Sequence, residues 1–453
     1  MASTSSGSSA FNPSPAASTA PSTASESLPT PSAVAEKPPD DGSKLKMFLG
    51  ILRKFIGVAD IASVRFSLPA QLLEPTPNLE YWNYLDQPNT FVAIGDSDDP
   101  LDRMLEVMRF WFTKDLKYVK GKPCKPYNST LGEFFRCNWE VEDSQPAIET
   151  GKLGTTSTSS SKKATPMSSK NGSQVTIPNP KSSGKKVRVS YLTEQTSHHP
   201  PGFDQISAKF TGTSIKVTPG EHNLGIFIDI ERRDNEQYQL THPAAHLGGL
   251  LRGTLSVTVG DQCYITCTRT KIKTILHYVE EGWLGKTQNK VEGVVFRYDP
   301  DNDNKTRIKD VPDKDVLARV SGNWKDKLYF TLGPKGDNQI LLIDLAPLQV
   351  APKIIPPTEK QLPNESLKFW SGVTDAIQSR QFSRATALKQ ELEERQREKA
   401  KERQDQGVEW QPRFFTGSVT PLGKPDLTAD GKEVLQLLQQ GEWDLKENEV
   451  TGA

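Results

Sequence analysis

The stretch "GTLSVTVGDQCYITCTRTKI", residues 253–272, reads as β-structure: apolar and polar residues alternate over strand lengths, and "VGDQ" in its middle carries a turn signal. Similar runs surround it between 187 and 346. "QISAKFTGTSIKVTP", "LGIFIDIE", "KVEGVVFRYD", "VLARVSGNW" and "QILLIDL" each alternate or run apolar, and "DPDNDN" supplies another turn. Few helical patterns interrupt them, so an antiparallel sheet that closes into a barrel or sandwich is expected. Cys263 and Cys267 share one face of such a strand. No second cysteine pair or histidine accompanies them at ligand spacing, so no metal site is expected there.

The flanks differ in composition. Residues 1–42 are rich in Ser, Thr, Pro and Ala, cannot bury enough apolar surface to offset the entropy of ordering, and read as a disordered tail. Residues 43–63, "SKLKMFLGILRKFIGVADIAS", place Leu45, Phe48, Leu49, Leu52, Phe55 and Ile56 on one helical stripe, with Lys44, Lys46, Arg53 and Lys54 off it. A basic amphipathic helix suits a membrane surface, a lid over an apolar cavity, or an ordinary core-facing position. "MLEVMRFWFTKDLKYV", 104–119, has a helical apolar period. Residues 150–193 contain eight Lys/Arg and no Asp or Glu. Their core, about 150–186, reads as a low-complexity basic insertion: a solvated linker, or a segment drawn to anionic headgroups. Beyond "IIPPTEKQLPNES" the pattern turns helical, giving a helical C-terminal part over about 365–440.

Bulk properties narrow the function classes. Lys+Arg and Asp+Glu number 56 each in 453 residues, which argues against a general nucleic-acid binder. Four cysteines in a chain this long make no disulfide framework and fit a reducing cytoplasmic setting. No apolar run reaches the length of a membrane span and no signal peptide opens the chain, so membrane contact is expected to be peripheral.

Three stretches could hold an anion. In "EQTSHHPPGF", 194–203, His198 and His199 precede two prolines that stiffen the segment, and paired imidazole donors suit a phosphate. In "KPYNSTLGEFF", 125–135, Lys125 offers a point charge and Asn128 turn chemistry. In "KQELEERQR", Lys389, Glu393 and Arg397 are spaced i, i+4, i+8 along one helical face, spanning roughly 12 Å. Each alone is equally an ordinary structural or surface feature. Neither a Gly-rich phosphate loop nor a nucleophile elbow is present.

Together, in chain order, these stretches resemble the oxysterol-binding protein family. "EQTSHHPP" matches the family's signature; "KPYNSTLGEFFRCNWE", "HLGGLLRGTL" and "KQELEERQR" are similar to its other motifs, and the resemblance covers about 64–415. It implies a mainly β fold with helices: a near-complete antiparallel barrel around a hydrophobic tunnel, with a lid, here 43–63, inside one lipid-binding domain over 43–440. It implies lipid transfer without covalent chemistry, so no enzyme and no cofactor. Lys125, Asn128, His198, His199, Lys389, Glu393 and Arg397 would hold the headgroup of phosphatidylinositol 4-phosphate. The lid would use Phe48, Leu49, Leu52, Phe55 and Ile56, and Leu68, Leu72 and Leu73 would line the tunnel. Sterol is the expected second lipid and phosphatidylserine the alternative. Anionic membrane surfaces are the expected partners of a monomer peripheral on cytoplasmic membranes, with endoplasmic-reticulum contact sites one setting. A phosphodiesterase using the histidine pair and a lipid sensor without net transport are the competing classes. The family commonly has Pro where this chain has Ser129.

Overall fold

The structure, a computed structural model, describes residues 35–55, 68–120, 125–142, 147–153, 186–196, 206–210, 215–220, 223–248, 256–279, 288–416 and 425–446. Two antiparallel strands, β1 (Phe134–Glu142) and β2 (Lys186–Glu194), form a small sheet. Glu142 stands opposite Lys186 in that ladder, so the basic insertion occupies a hairpin connection. Closure entropy grows only slowly with loop length, which is why such a position tolerates a long insert. Residues 154–185 of it lie outside the described residues.

The large sheet contains β3 (Ile206–Phe210), β4 (Ile215–Pro219), β5 (Ile226–Ile230), β6 (Glu236–Leu240), β7 (Ala244–Gly248), β8 (Ser256–Cys267), β9 (Ile272–Tyr278), β10 (Lys290–Arg297), β11 (Val316–Asn323), β12 (Lys327–Leu332) and β13 (Ile340–Asp344). The order is β13-β12-β11-β10-β9-β8-β7-β4-β3, with β6 also on β8 and β5 on β6, and every pairing is antiparallel. Among the described residues the ladder does not close on itself.

"VGDQ" is not a turn between strands. β8 continues through it, bent where Asp261 takes the left-handed conformation at φ 65°. On one side of the bend Gly260 faces Ala244 of β7; on the other, Ile265 faces Leu240 of β6. Gly-Asp chemistry permits either a turn or such a bend, and here it lets one strand serve two neighbours. "DPDNDN" does connect strands, as the 3-10 turn Pro300–Asn302 between β10 and β11.

The helices used below are α1 (Asp41–Leu52), α2 (Pro100–Thr113), α3 (Ser371–Gln378), α4 (Phe382–Gln406) and α5 (Ala429–Gln440). The helical reading of 104–119 divides: α2 ends at Thr113, and Leu116–Lys120 is a separate short turn. The Asp99 carboxylate caps α2, accepting from the Leu101 amide at 2.7 Å, and Pro100 sits at its first position. From Asp102 to Thr113 every residue is buried, including Arg103, Glu106 and Arg109. Arg109 pairs with Glu106 within the helix at 3.0 Å, and distant strands supply further partners. Arg103 donates to both oxygens of Glu236 on β6 at 2.8 and 2.7 Å; Arg109 donates to the Leu342 carbonyl on β13 at 2.8 Å; Trp111 donates to the Tyr278 hydroxyl on β9 at 2.9 Å. Strands well separated in the ladder therefore reach one helix, which requires the sheet to curl around α2.

His242 is enclosed between the rings of Tyr84 and Trp111, at 5.8 and 6.0 Å. Burial, helped by the Lys114 charge, pushes its pKa down to about 4. The unfolded chain then binds a proton that the folded chain refuses between roughly pH 6.5 and 4, so stability is expected to fall as pH drops through that window. His242→Phe should flatten the slope of melting temperature against pH there.

The N-terminal boundary also moves. Chain read as tail to residue 42 is described from Ala35, and α1 starts at Asp41. α5 closes the small sheet through Phe134, Leu192, Phe414, Val434 and Leu438.

Candidate functional site

The KPYN turn is built on an extended neighbour. The Glu74 amide donates to the Lys125 carbonyl at 2.9 Å, and the Tyr127 amide to the Thr76 carbonyl at 3.1 Å. Lys125 Nζ donates to Asn128 Oδ1 at 2.6 Å, so the two residues expected at the headgroup already face each other. Tyr127 points the other way. It is fully buried, stacks on Trp370 at 4.8 Å, and its hydroxyl lies 3.1 Å from that of Thr374 on α3. Burial pushes its phenol up to about 12. Ser129 is buried, and its hydroxyl finds no partner among the described residues.

The "LGE" that follows ties this turn to the segment entering α3 and to the end of β2. The Glu133 carboxylate accepts from the Thr130 amide at 2.9 Å, the Ser366 hydroxyl at 2.6 Å and the Trp370 indole at 3.1 Å. Burial still raises its pKa, against those donors. The backbones of Gly132 and Glu133 exchange hydrogen bonds with Gln195 at 3.0 and 2.8 Å. One residue earlier, Glu194 accepts from the amides of Arg413, Phe414 and Phe415 at 2.7, 2.8 and 3.3 Å, pinning the end of β2. The chain heading into the histidine pair is thus fixed up to Gln195. His198 and His199 lie outside the described residues.

α4 carries the third group. Its 25 residues are mostly good helix formers, and Gly407 ends it in the left-handed conformation at φ 65°. Lys389 Nζ donates to Glu393 Oε1 at 2.5 Å, and Arg397 lies 3.9 Å from Glu393 Oε2 while also pairing with Glu394. Side-chain exposure rises from 4% at Lys389 through 19% at Glu393 to 60% at Arg397, so the row runs from the interior to water. Leu388 and Leu392 pack with Ala70, Tyr127, Trp370, Val373, Phe382 and Ala385. That cluster seats the KPYN turn and the Lys389 end of α4 on one apolar base.

In the lid segment, Leu45 and Leu52 are buried against Ile215 of β4, with Phe48, Leu49, Val217 and Leu247 packed around them. The side chain of Phe55, and Ile56 altogether, lie outside the described residues. Leu68 is buried, and Leu72 ends the 3-10 turn Ala70–Leu72, whose first amide donates to the Thr386 hydroxyl at 3.3 Å. Leu73 packs into the Tyr127–Trp370 cluster. Cys263 and Cys267 are free, buried thiols. Among the described residues no group of His, Cys, Asp or Glu is placed to hold a metal ion.

Sequence reasoning missed Tyr127, Glu133 and Glu194 as the residues that position the candidate anion holders. The signal was there for Glu133: a carboxylate inside "TLGEFF" is flanked by apolar residues and must find partners when buried.

The architecture is a curled antiparallel sheet with packed helices, and comparison with known proteins makes this specific. The family model described as "Oxysterol-binding protein" matches residues 47–447. Oxysterol-binding protein-like protein 1 of Schizosaccharomyces pombe is 41% identical over 469 aligned positions, covering 87% of this chain and 90% of the relative. Human oxysterol-binding protein-related protein 11 is 29% identical, over 78% of this chain and 45% of its own length. Two solved structures share the fold: the Osh1 ORD domain with ergosterol (TM-score 0.56, 15% identity, 88% of this chain and 90% of that one), and the Saccharomyces cerevisiae Osh3 ORD with PI(4)P (TM-score 0.55, 14% identity, 90% and 95%). The chain belongs to the oxysterol-binding protein family. Among its described residues no helix is long and apolar enough to cross a membrane.

Proposed function

We propose that this protein extracts single lipids and carries them between membranes, exchanging phosphatidylinositol 4-phosphate for a sterol. The observation that carries this reading is Lys389. An ammonium group with 4% of its side chain exposed is costly to bury. It is held against Glu393 on a helix that shares its apolar base with the Lys125–Asn128 turn. A phosphate monoester entering there would meet charged donors from two segments, and in sequence the histidine pair follows the pinned end of β2 within a few residues. The family's solved structures support the ligand classes, since Osh ORD domains hold ergosterol, cholesterol and PI(4)P.

In this reading the large sheet and the remaining chain complete a barrel around a tunnel lined by Leu68, Leu72 and Leu73, and α1 is its lid. The exposed Lys44 and Lys46 on α1, with Arg53 and Lys54 in the 3-10 turn that follows it, face anionic bilayers, on which the protein acts as a peripheral, cytoplasmic monomer. No bond is made or broken. The tunnel spares the lipid tail contact with water, worth about 0.8 kcal/mol per CH₂.

The test is transfer of phosphatidylinositol 4-phosphate between liposomes. His198→Ala/His199→Ala is expected to slow it by at least about tenfold, as losing charged donors to a phosphate does. Binding without transfer in the parent protein would overturn the carrier in favour of a sensor. Acceptor vesicles doped with sterol or with phosphatidylserine read the counter-lipid in the same experiment, and phosphatidylserine moving alone would displace sterol.

A further inference from the structure

The five residues before α1 cap two helices at once. The Glu36 amide donates to the Arg380 carbonyl at 2.9 Å, in the corner between α3 and α4. Its carboxylate accepts from the Ser383 amide at 2.9 Å, across 347 positions of sequence. Ser383 is the second residue of α4, so its amide is one of the donors a helix start leaves without an internal partner. The residue at the cap position, Gln381, makes no side-chain capping bond. Glu36 fills that place from outside. Four residues on, the Asp40 carboxylate accepts from the Ser43 amide at 2.6 Å and caps α1. Between the two caps stand Lys37, Pro38 and Pro39. Consecutive prolines fix φ and favour an extended, stiff chain, so little slack separates the caps.

We propose that Glu36–Asp40 is a latch that ties the lid helix α1 to α4, the helix carrying Lys389, Glu393 and Arg397. α1 covers Ile215, Val217 and Leu247 with Leu45, Phe48, Leu49 and Leu52. Swinging it away exposes that apolar surface, and the stiff proline link transmits the same motion to Glu36. Opening therefore includes undocking of Glu36 from the α3–α4 corner, and the latch sets how often the open state is visited. It also joins the cover and the headgroup-holding helix at a point remote from the headgroup. The inference rests on reading α1 as the lid.

Amide hydrogen exchange on the full chain, without lipid, tests it. Glu36→Ala is expected to speed exchange in 41–52 about tenfold, together with the first turn of α4. Pro38→Gly/Pro39→Gly, which leaves Glu36 docked but adds slack, is expected to speed exchange in 41–52 alone. Glu36→Gln keeps an acceptor oxygen and should retain most of the protection. Peptides from β9 and β10 report whether a variant has lost the fold as a whole; should Glu36→Ala do so, the proline variant decides. Faster exchange confined to the start of α4 would reduce Glu36 to a helix cap and overturn the latch. So would a proline variant whose 41–52 amides exchange like the parent's. Because no lipid is present, a protein that transfers nothing can still show the latch, and one that transfers well can still lack it.

Discussion

Lys389→Met is expected to weaken binding of phosphatidylinositol 4-phosphate by about 30-fold or more while the protein stays folded. Truncating one partner of a buried charge pair in a binding site costs about 2–5 kcal/mol, and 2 kcal/mol is already about 30-fold. Methionine keeps most of the lysine's apolar stem, so contacts with the neighbouring Leu388 and Leu392 layer survive. Glu393 loses its 2.5 Å partner but is partly exposed, and Arg397 lies near enough to take it over. The melting temperature should therefore shift little. Arg397→Ala provides the contrast. With 60% of its side chain in water it is a rim charge, expected to change affinity only a few-fold and mainly through association rate and salt dependence. Titration of both variants with liposomes at two salt concentrations measures this. If Arg397→Ala proves the more damaging, the headgroup sits at the outer end of the row and not beside the Tyr127 base.

How far the sequence could be read depended on whether each contact was local. Alternation over 187–346 exposed the antiparallel strands, and the helical pattern beyond "IIPPTEKQLPNES" exposed the part that holds α4, because both signals lie within a few residues. "VGDQ" misled because Gly-Asp allows a left-handed residue either at a hairpin or inside a bent strand. The choice is made by β6 and β7, which both need β8 as a neighbour. α2 was legible as a helix but not as the axis of the fold. Its Arg103 and Arg109 find partners 133 and 233 positions away, which no local pattern reveals. The site divides along the same line. Lys125, Asn128, Lys389, Glu393 and Arg397 stand out by type and spacing. Of the residues that hold the framework, Glu133 is marked only by its apolar neighbours, and Tyr127 and Glu194 carry no local mark distinguishing them from fold residues. Glu36 is hidden most deeply, since composition assigns its surroundings to a tail and its partner amide belongs to a helix near the other end of the chain.

Arg136→Met should be strongly destabilising, removing about 3–5 kcal/mol. Arg136 stands on β1 with 1% of its side chain exposed, as does its partner Glu365. Its guanidinium donates to the two Glu365 oxygens at 3.2 and 3.3 Å, to the Trp443 carbonyl at 3.1 Å and to the Lys360 carbonyl at 2.9 Å. One side chain thus joins the small sheet to the segment entering the C-terminal helices and to the chain beyond α5. Removing it leaves a carboxylate buried beside lost donors, and burial already raises the Glu365 pKa with Arg136 in place. Two controls separate charge burial from lost packing. Arg136→Met/Glu365→Leu removes both charges and is expected to recover much of the loss, because the stranded carboxylate, not the missing ion pair, is the larger cost. The gap between Arg136→Met and the parent should also narrow as pH falls toward the carboxylate range. A buried Glu365 without its counter-charge titrates above its unfolded value, so the penalty is present at neutral pH and disappears once the group is protonated in both states. Thermal or urea unfolding at neutral and mildly acidic pH reads both effects. A gap that stays constant with pH would assign the loss to the carbonyls of Lys360 and Trp443 instead.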